Sequence, residues 1–169
     1  IKGSDNFWHW EIGIPQELVL ILTLIKDELS QEQIDKYLMP LNDYIFYPKL
    51  TMANKMDIGY SSIIAGILQK DYSRVAVSVE MLREMYDNVE IFDGFYDDWS
   101  FIQHEIYGYI GAYGASFINS LSKVSYILDE SIFRLDDFMK EKQYDWFINS
   151  YIPFMYNGSF FDLVRGRNV

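Results

Sequence analysis

The chain has 169 residues, 50% hydrophobic and 18% aromatic, with 14 Lys+Arg against 25 Asp+Glu and a net charge of -11. That is enough for one domain, or a piece of one, with a real core. The acidic balance argues against a nucleic-acid partner, the lack of cysteine excludes disulfides and thiolate chemistry, and no apolar run of about 18 residues offers a membrane span.

The chain begins at Ile1-Lys2-Gly3-Ser4, with no initiator Met or signal peptide, and both ends read as cut. Phe7-Trp8-His9-Trp10 precedes the first helix and reads either as a hydrophobic staple or as a stacking platform for sugar rings. Pro15 opens that helix, followed by Leu18, Leu22, Ile25 and Leu29 at helical spacing. Ser30 with Gln33 predicts a capping box for a second helix, which Pro40 ends. A Tyr- and Pro-containing connector from Asp43 to Leu50 leads to a third helix over roughly residues 54–68. Asp71 caps a fourth carrying Val75, Val79, Leu82 and Met85.

Residues 88–100 break the period, and Asp93-Gly94-Phe95-Tyr96-Asp97-Asp98 is turn-rich and aromatic. Helical spacing resumes near Tyr113 (Phe117, Leu121, Val124, Leu128) and again over about 135–152, where Pro153 stops it. The tail, 155–169, reads as extended or looped around Asn157-Gly158. The expected fold class is all-α, built from antiparallel helix pairs with functional residues in the connections.

Taken singly, the polar candidates have ordinary readings. Asn54 suits a helix cap, His104 a structural histidine, Tyr113 is one of 14 tyrosines, and Arg165 or Arg167 alone is a solvated charge. Asp97, Asp98 and Glu11 offer carboxylates for glycoside hydrolysis, against the simpler reading of solvated loop acids. The two histidines and the scattered acids lack metal-ligand spacing.

Together they form a recognisable pattern. Asn6-Phe7-Trp8-His9-Trp10-Glu11-Ile12-Gly13-Ile14-Pro15 resembles the Asn-Trp-Trp-x-x-Glu-Ile-Gly-x-Pro segment of polysaccharide lyase family eight, which includes hyaluronate, chondroitin AC and xanthan lyases. Thr51-Met52-Ala53-Asn54-Lys55-Met56-Asp57 is similar to the family's Thr-Gly-Ala-Asn-Arg-x-Asp. The run from Asp93 to His104 is similar to its Asp-Gly-Ser-Phe-x-Gln-His region, and Gly111-Ala112-Tyr113-Gly114 to its tyrosine motif. Tyr156-Asn157-Gly158 with Arg165-Gly166-Arg167 resembles its arginine segment. The motifs run in family order along essentially the whole chain. Departures are Phe7 for Trp, Met52 for Gly, Lys55 for Arg, and Asp98 with an inserted-looking Trp99, a change expected to reshape the cleft wall beside His104.

The resemblance implies that residues 1–169 are a single piece of an incomplete α/α-toroid catalytic domain, with further toroid helices and β-sandwich domains elsewhere in the parent chain. It implies β-elimination on an acidic, uronate-containing polysaccharide of hyaluronan, chondroitin or xanthan type, secreted or at a bacterial cell surface. Asn54, His104, Tyr113 and Arg167 are the implied catalytic residues; Phe7, Trp8, Trp10, Arg165 and Asn157 contact or position the polymer. No metal or organic cofactor is implied, and an isolated fragment is expected to be weakly active or inactive. A net charge of -11 requires any polyanion cleft to be a local positive spot or to borrow cations from elsewhere. Competing expectations are a non-catalytic polysaccharide-binding module and an α/α-toroid glycoside hydrolase.

Overall fold

The computed structural model describes residues 6–42 and 50–166. The connector expected over 43–50 therefore lies almost wholly outside the described residues, as does Arg167. The chain divides into two compact units: Ile1–Leu50 with Asn54–Leu82, and Thr51–Ala53 with Arg83–Val169.

In the first unit, α1 (Ile14–Ile25) follows a π-helical turn over His9–Gly13, with Pro15 in its first turn. Its period stops before Leu29. Residues Lys26–Glu28 tighten into a 3-10 turn and Leu29 is extended, yet it still packs on the core. The Ser30–Gln33 capping box forms and starts α2 (Gln31–Leu38), and Pro40 sits in the 3-10 turn that ends it. Next come α3 (Met52–Gln69) and α4 (Tyr72–Arg83). Asp71 caps α4 by accepting the Arg74 N–H at 3.0 Å. The Ser73 hydroxyl, then that N–H, hold the Asp71 carboxyl below its usual range.

Gly59 and Gly66 stand seven residues apart on one face of α3. A methyl on Gly59 would meet Leu82 and one on Gly66 would meet Val75. These contacts make α3 and α4 an antiparallel, closely packed pair. Ile12, Val19, Leu22, Ile34, Leu38, Ile58, Ile64 and Leu68 form the core. Arg74 crosses it almost fully buried, donating to Ser62 (3.2 Å), Asn42 (2.8 Å) and Gln69 (2.9 Å); a buried guanidinium needs such partners.

The second unit holds α5 (Ala115–Leu128) and α6 (Asp137–Trp146). Ser125 donates to Gln143, Lys140 pairs with Asp129, and Tyr151 beyond α6 reaches Gly114 at the head of α5. This pair too is antiparallel. Asp136 caps α6 through the Met139 N–H, and the Arg83 guanidinium beside it draws its carboxyl below the usual range.

The irregular stretch around residue 94 is a small sheet. β1 (Gly94–Phe95) pairs antiparallel with β2 (Phe101–Gln103), which pairs with β3 (Tyr107–Gly108). The tail makes a second hairpin, β4 (Met155–Tyr156) with β5 (Ser159–Phe160), turned by Asn157 and Gly158 at φ 51° and 78°. That is the type I′ geometry an Asn-Gly pair favours.

Much of the aromatic excess lies inside this unit. Trp146 stacks on Phe95 at 4.2 Å and 12°, with Tyr86 and Phe117 at 5.0 and 5.7 Å and Phe101 against Phe95 at 5.0 Å. All five are essentially buried.

Candidate active site

His104 opens the three-residue connection between β2 and β3, with its side chain in solvent. Both His104 and Glu105 adopt left-handed backbone, φ 57° and 68°. For residues with a Cβ this costs on the order of 1–2 kcal/mol each. Two contacts hold the turn: Ile106 N–H donates to the His104 carbonyl at 2.8 Å, and Glu105 N–H donates to Asp93 Oδ1 at 2.7 Å. A left-handed histidine kept in place by a carboxylate is a sign of imposed geometry.

Tyr113 lies half-buried in a π-helical turn over Ile110–Gly114 that leads into α5. Such turns are uncommon and recur at functional sites. The Tyr109 carbonyl accepts from Ala112 (3.2 Å) and Gly114 (3.0 Å), and Tyr109 N–H donates to Phe101 at 3.1 Å, tying the turn to β2. The Tyr151 hydroxyl donates to the Gly114 carbonyl at 2.7 Å from full burial, which pushes its phenol well above the usual range and keeps it a donor.

The rings converge. The His104 imidazole meets Tyr113 edge-on at 4.7 Å and 87°, and Tyr109 lies 5.0 Å from Tyr113 and 6.1 Å from His104. Each edge-to-face contact contributes about 0.5–1.5 kcal/mol beyond area. Thus two of the expected residues, far apart in local context, are neighbours.

The arginine segment arrives at the same place. After a 3-10 turn over Asp162–Val164, Gly166 has φ 59° and lies against the Tyr109 ring: a methyl there would come 1.7 Å from Cε1. A methyl on Gly111 would sit 3.0 Å from both Arg165 Cγ and Phe160 Cβ. Arg165 donates to Asp162 at 3.5 Å. Asn157 occupies the β4–β5 turn, where backbone geometry accounts for it, and its side chain is exposed.

Asn54 belongs to the first unit, half-buried in the first turn of α3. Met52, two residues earlier, has φ 39°. The family pattern has glycine there, and the left-handed backbone gives the physical reason. Phe7 and Trp8, also of the first unit, are 46% and 44% exposed, while Trp10 is half-buried. Trp8 lies over Gly13, and Trp8, Gly13, Ile14, Gln16 and Ile21 line an open groove.

The expectation for Trp99 needs correction. Trp99 sits in the turn Tyr96–Ser100 that joins β1 to β2, with Trp99 N–H donating to Tyr96 O and Tyr96 N–H to Ser100 O, at the opposite end of the hairpin from His104. Asp98 accepts from Ser100 N–H and hydroxyl, and Asp97 from Asn88 at 2.6 Å. The Ser100 hydroxyl, then its N–H, lower the Asp98 carboxyl. Both aspartates thus serve this turn. Among the described residues no group of three or more His, Asp or Glu could hold a metal.

Sequence reasoning missed Tyr109, Asp93, Gln103 and Tyr151 as contributors. Tyr109 and Tyr113 stand four apart, a helical-face signal that was readable; the others act over long sequence separations.

Residues 2–169 match the family model described as polysaccharide lyase family 8, N terminal alpha-helical domain. The chain is 35% identical over 167 residues to a hyaluronate lyase of Thermasporomyces composti and 31% over 177 to a xanthan lyase of Bacillus sp. (strain GL1), covering 97% and 99% of this chain but 22% and 18% of theirs. Among solved structures, a Paenibacillus xanthan lyase superposes with a TM-score of 0.88 at 35% identity, over 97% of this chain and 16% of that one. A Streptomyces coelicolor A3 chondroitin AC lyase, solved in complex with chondroitin sulphate, has a TM-score of 0.90 at 24% identity, covering 97% of this chain and 23% of its own, and bears on the fold alone. The chain thus spans about a fifth of the length of these curated relatives. On the family-model match over nearly the whole chain, the chain belongs to polysaccharide lyase family 8, within its N-terminal α-helical domain.

Proposed function

We propose that the full-length protein carrying this chain cleaves a uronate-containing polysaccharide by β-elimination. The observation that carries this reading is the contact of the His104 imidazole with Tyr113, in two constrained turns. The proton on carbon five of a uronate is weakly acidic because the attached carboxylate is already negative. Asn54 donates hydrogen bonds to that carboxylate and lowers the cost of the enolate-like charge. Tyr113 removes the proton, assisted by His104, with Arg167 favouring the ionised phenol. Electrons from the broken C–H bond form the carbon four–carbon five double bond as the bond from carbon four to the glycosidic oxygen breaks. Tyr113 then returns a proton to that oxygen. No electron is gained or lost overall, so the scheme asks for no redox cofactor.

Phe7, Trp8 and Trp10 stack on sugar rings; Phe7 and Trp8 are exposed and Trp8 lines the groove, as a stacking surface requires. Arg165 and Asn157 position the arginine segment and the polymer. Residues 1–169 act as one piece of the catalytic helical domain and rely on further helices and β-sandwich domains of the parent chain. A polymeric substrate places the enzyme outside the cell or at its surface. No helix among the described residues is long and apolar enough to cross a membrane.

The test is ultraviolet absorbance of the full-length protein with hyaluronan, chondroitin and xanthan in turn. A rise from the conjugated product supports elimination and names the substrate. New reducing ends without a rise would mean hydrolysis; neither, with retention of the polymer, would leave a binding protein.

Gly166→Ala probes the arginine segment. A methyl at φ 59°, 1.7 Å from Tyr109, forces the turn or the ring aside. The expected kcat falls about 100-fold, the usual cost of misplacing a group by an ångström, with secondary structure by circular dichroism unchanged. A variant with native kcat would detach this segment from the chemistry.

A further inference from the structure

Gln103 is 1% exposed, yet its side chain uses both ends. Its amide NH2 donates to Asp93 Oδ2 at 2.6 Å and to Thr51 Oγ1 at 3.2 Å. Its carbonyl oxygen accepts the Ala53 N–H at 3.2 Å, one of the first-turn donors of α3 that no intrahelical acceptor serves. Asp93 completes the cluster, accepting also from the Thr51 hydroxyl and from the Glu105 N–H. Three donors on one carboxylate, two of them at 2.6 and 2.7 Å, are charge-assisted bonds of the stronger kind.

We infer that Gln103 and Asp93 are positioning residues of the reaction: the buried amide and its half-buried carboxylate partner fix the left-handed turn of His104 and the start of the helix bearing Asn54. The placement supports this directly. Gln103 immediately precedes His104, Glu105 immediately follows it, and both are bonded to Asp93. Ala53, held by Gln103, immediately precedes Asn54. Without Asp93 the two consecutive left-handed residues lose the bond that offsets their cost. Without the Gln103 amide, Asp93 and Ala53 lose a shared partner. Neither residue touches substrate; both act through the groups beside them.

The inference rests on the lyase reading for its kinetic test and has a second readout that does not. Gln103→Glu keeps the acceptor for Ala53 but sets a second carboxylate against Asp93. Two carboxylates in hydrogen-bond contact cannot both stay ionised, so one shared proton restores the bond as pH falls. Glu105 and His104, the other ionisable groups of this turn, are common to both proteins. Taking variant over native at each pH cancels what they share. In the full-length protein, kcat should fall about 100-fold near pH 8 with KM within about threefold. The variant-to-native ratio should rise as pH drops toward about 5. The exchanged pair, Asp93→Asn with Gln103→Glu, again has one amide and one acid and should recover at least about tenfold of the loss.

A packing defect alone would give the same loss at every pH and no recovery on exchange; that result, or native kcat in the single variant, overturns the inference. Independently of turnover, the imidazole resonance of His104, identified by its disappearance in His104→Gln, should shift in Gln103→Glu because its ring geometry against Tyr113 changes. An unmoved resonance also overturns it. If the native protein gives no unsaturated product from any polymer, the lyase reading fails and the resonance alone decides the positioning role.

Discussion

Tyr113→Phe in the full-length protein is expected to lower elimination by about 10³-fold or more while leaving retention of the polymer intact. The magnitude follows from the two jobs given to one oxygen, removing a proton and returning it, each worth about 10²–10⁴-fold. The substitution is isosteric. The edge contacts with His104 at 4.7 Å and Tyr109 at 5.0 Å are made by the ring and persist, so folding should be little changed. Absorbance of the unsaturated product gives the rate, and electrophoresis through a polymer-containing gel gives retention. Turnover within tenfold of native would remove Tyr113 from the role. Loss of turnover and retention together would mean that the phenol holds substrate in the ground state.

The largest stability effect belongs to Trp146→Ala. Trp146 is fully buried and touches Phe95, Tyr86 and Phe117. Truncating such a side chain costs about 3–5 kcal/mol in lost transfer energy and cavity. Local amide protection of the segments 115–128 and 137–146 should drop about a thousandfold by hydrogen exchange. Trp146→Phe provides the control. The Trp146 indole N–H is buried without a hydrogen-bond partner among the described residues, so the smaller ring removes an unsatisfied donor and offsets part of its lost area. Its cost should stay well below that of alanine. Equal costs would show that the stacking on Phe95 carries little of the core.

These two residues mark what the sequence discloses and what it hides. Features governed by neighbours a few positions away were readable: the Ser30–Gln33 box and the Asp71 cap form as expected, while the tail expected as extended or looped around Asn157-Gly158 closes there into a tight hairpin. The helical period also located α1, α3 and α5, though it overran α1 to Leu29, because an apolar residue packs on the same core whether helical or extended. The small sheet was not readable. Strands of two or three residues are too short to display alternation. Composition likewise left the aromatic excess open between core and sugar platform; the Phe95–Trp146 cluster places much of it in the core, while Phe7 and Trp8 stay exposed. The motif resemblance pointed to His104 and Tyr113, whose rings meet in the structure. It said nothing of why they hold still, because that depends on Asp93 and Gln103 reaching partners some 10 to 52 positions away.

The β1–β2 hairpin separates two kinds of change. Its register is set by Gly94 opposite Ile102 and Phe95 opposite Phe101, with Asp93 and His104 at one end and Trp99 at the other. Residues gained or lost between Tyr96 and Ser100 lengthen or shorten the far tip and leave the anchored end as it was. The far tip therefore offers an engineer an attachment point separated from the imidazole by the length of the hairpin.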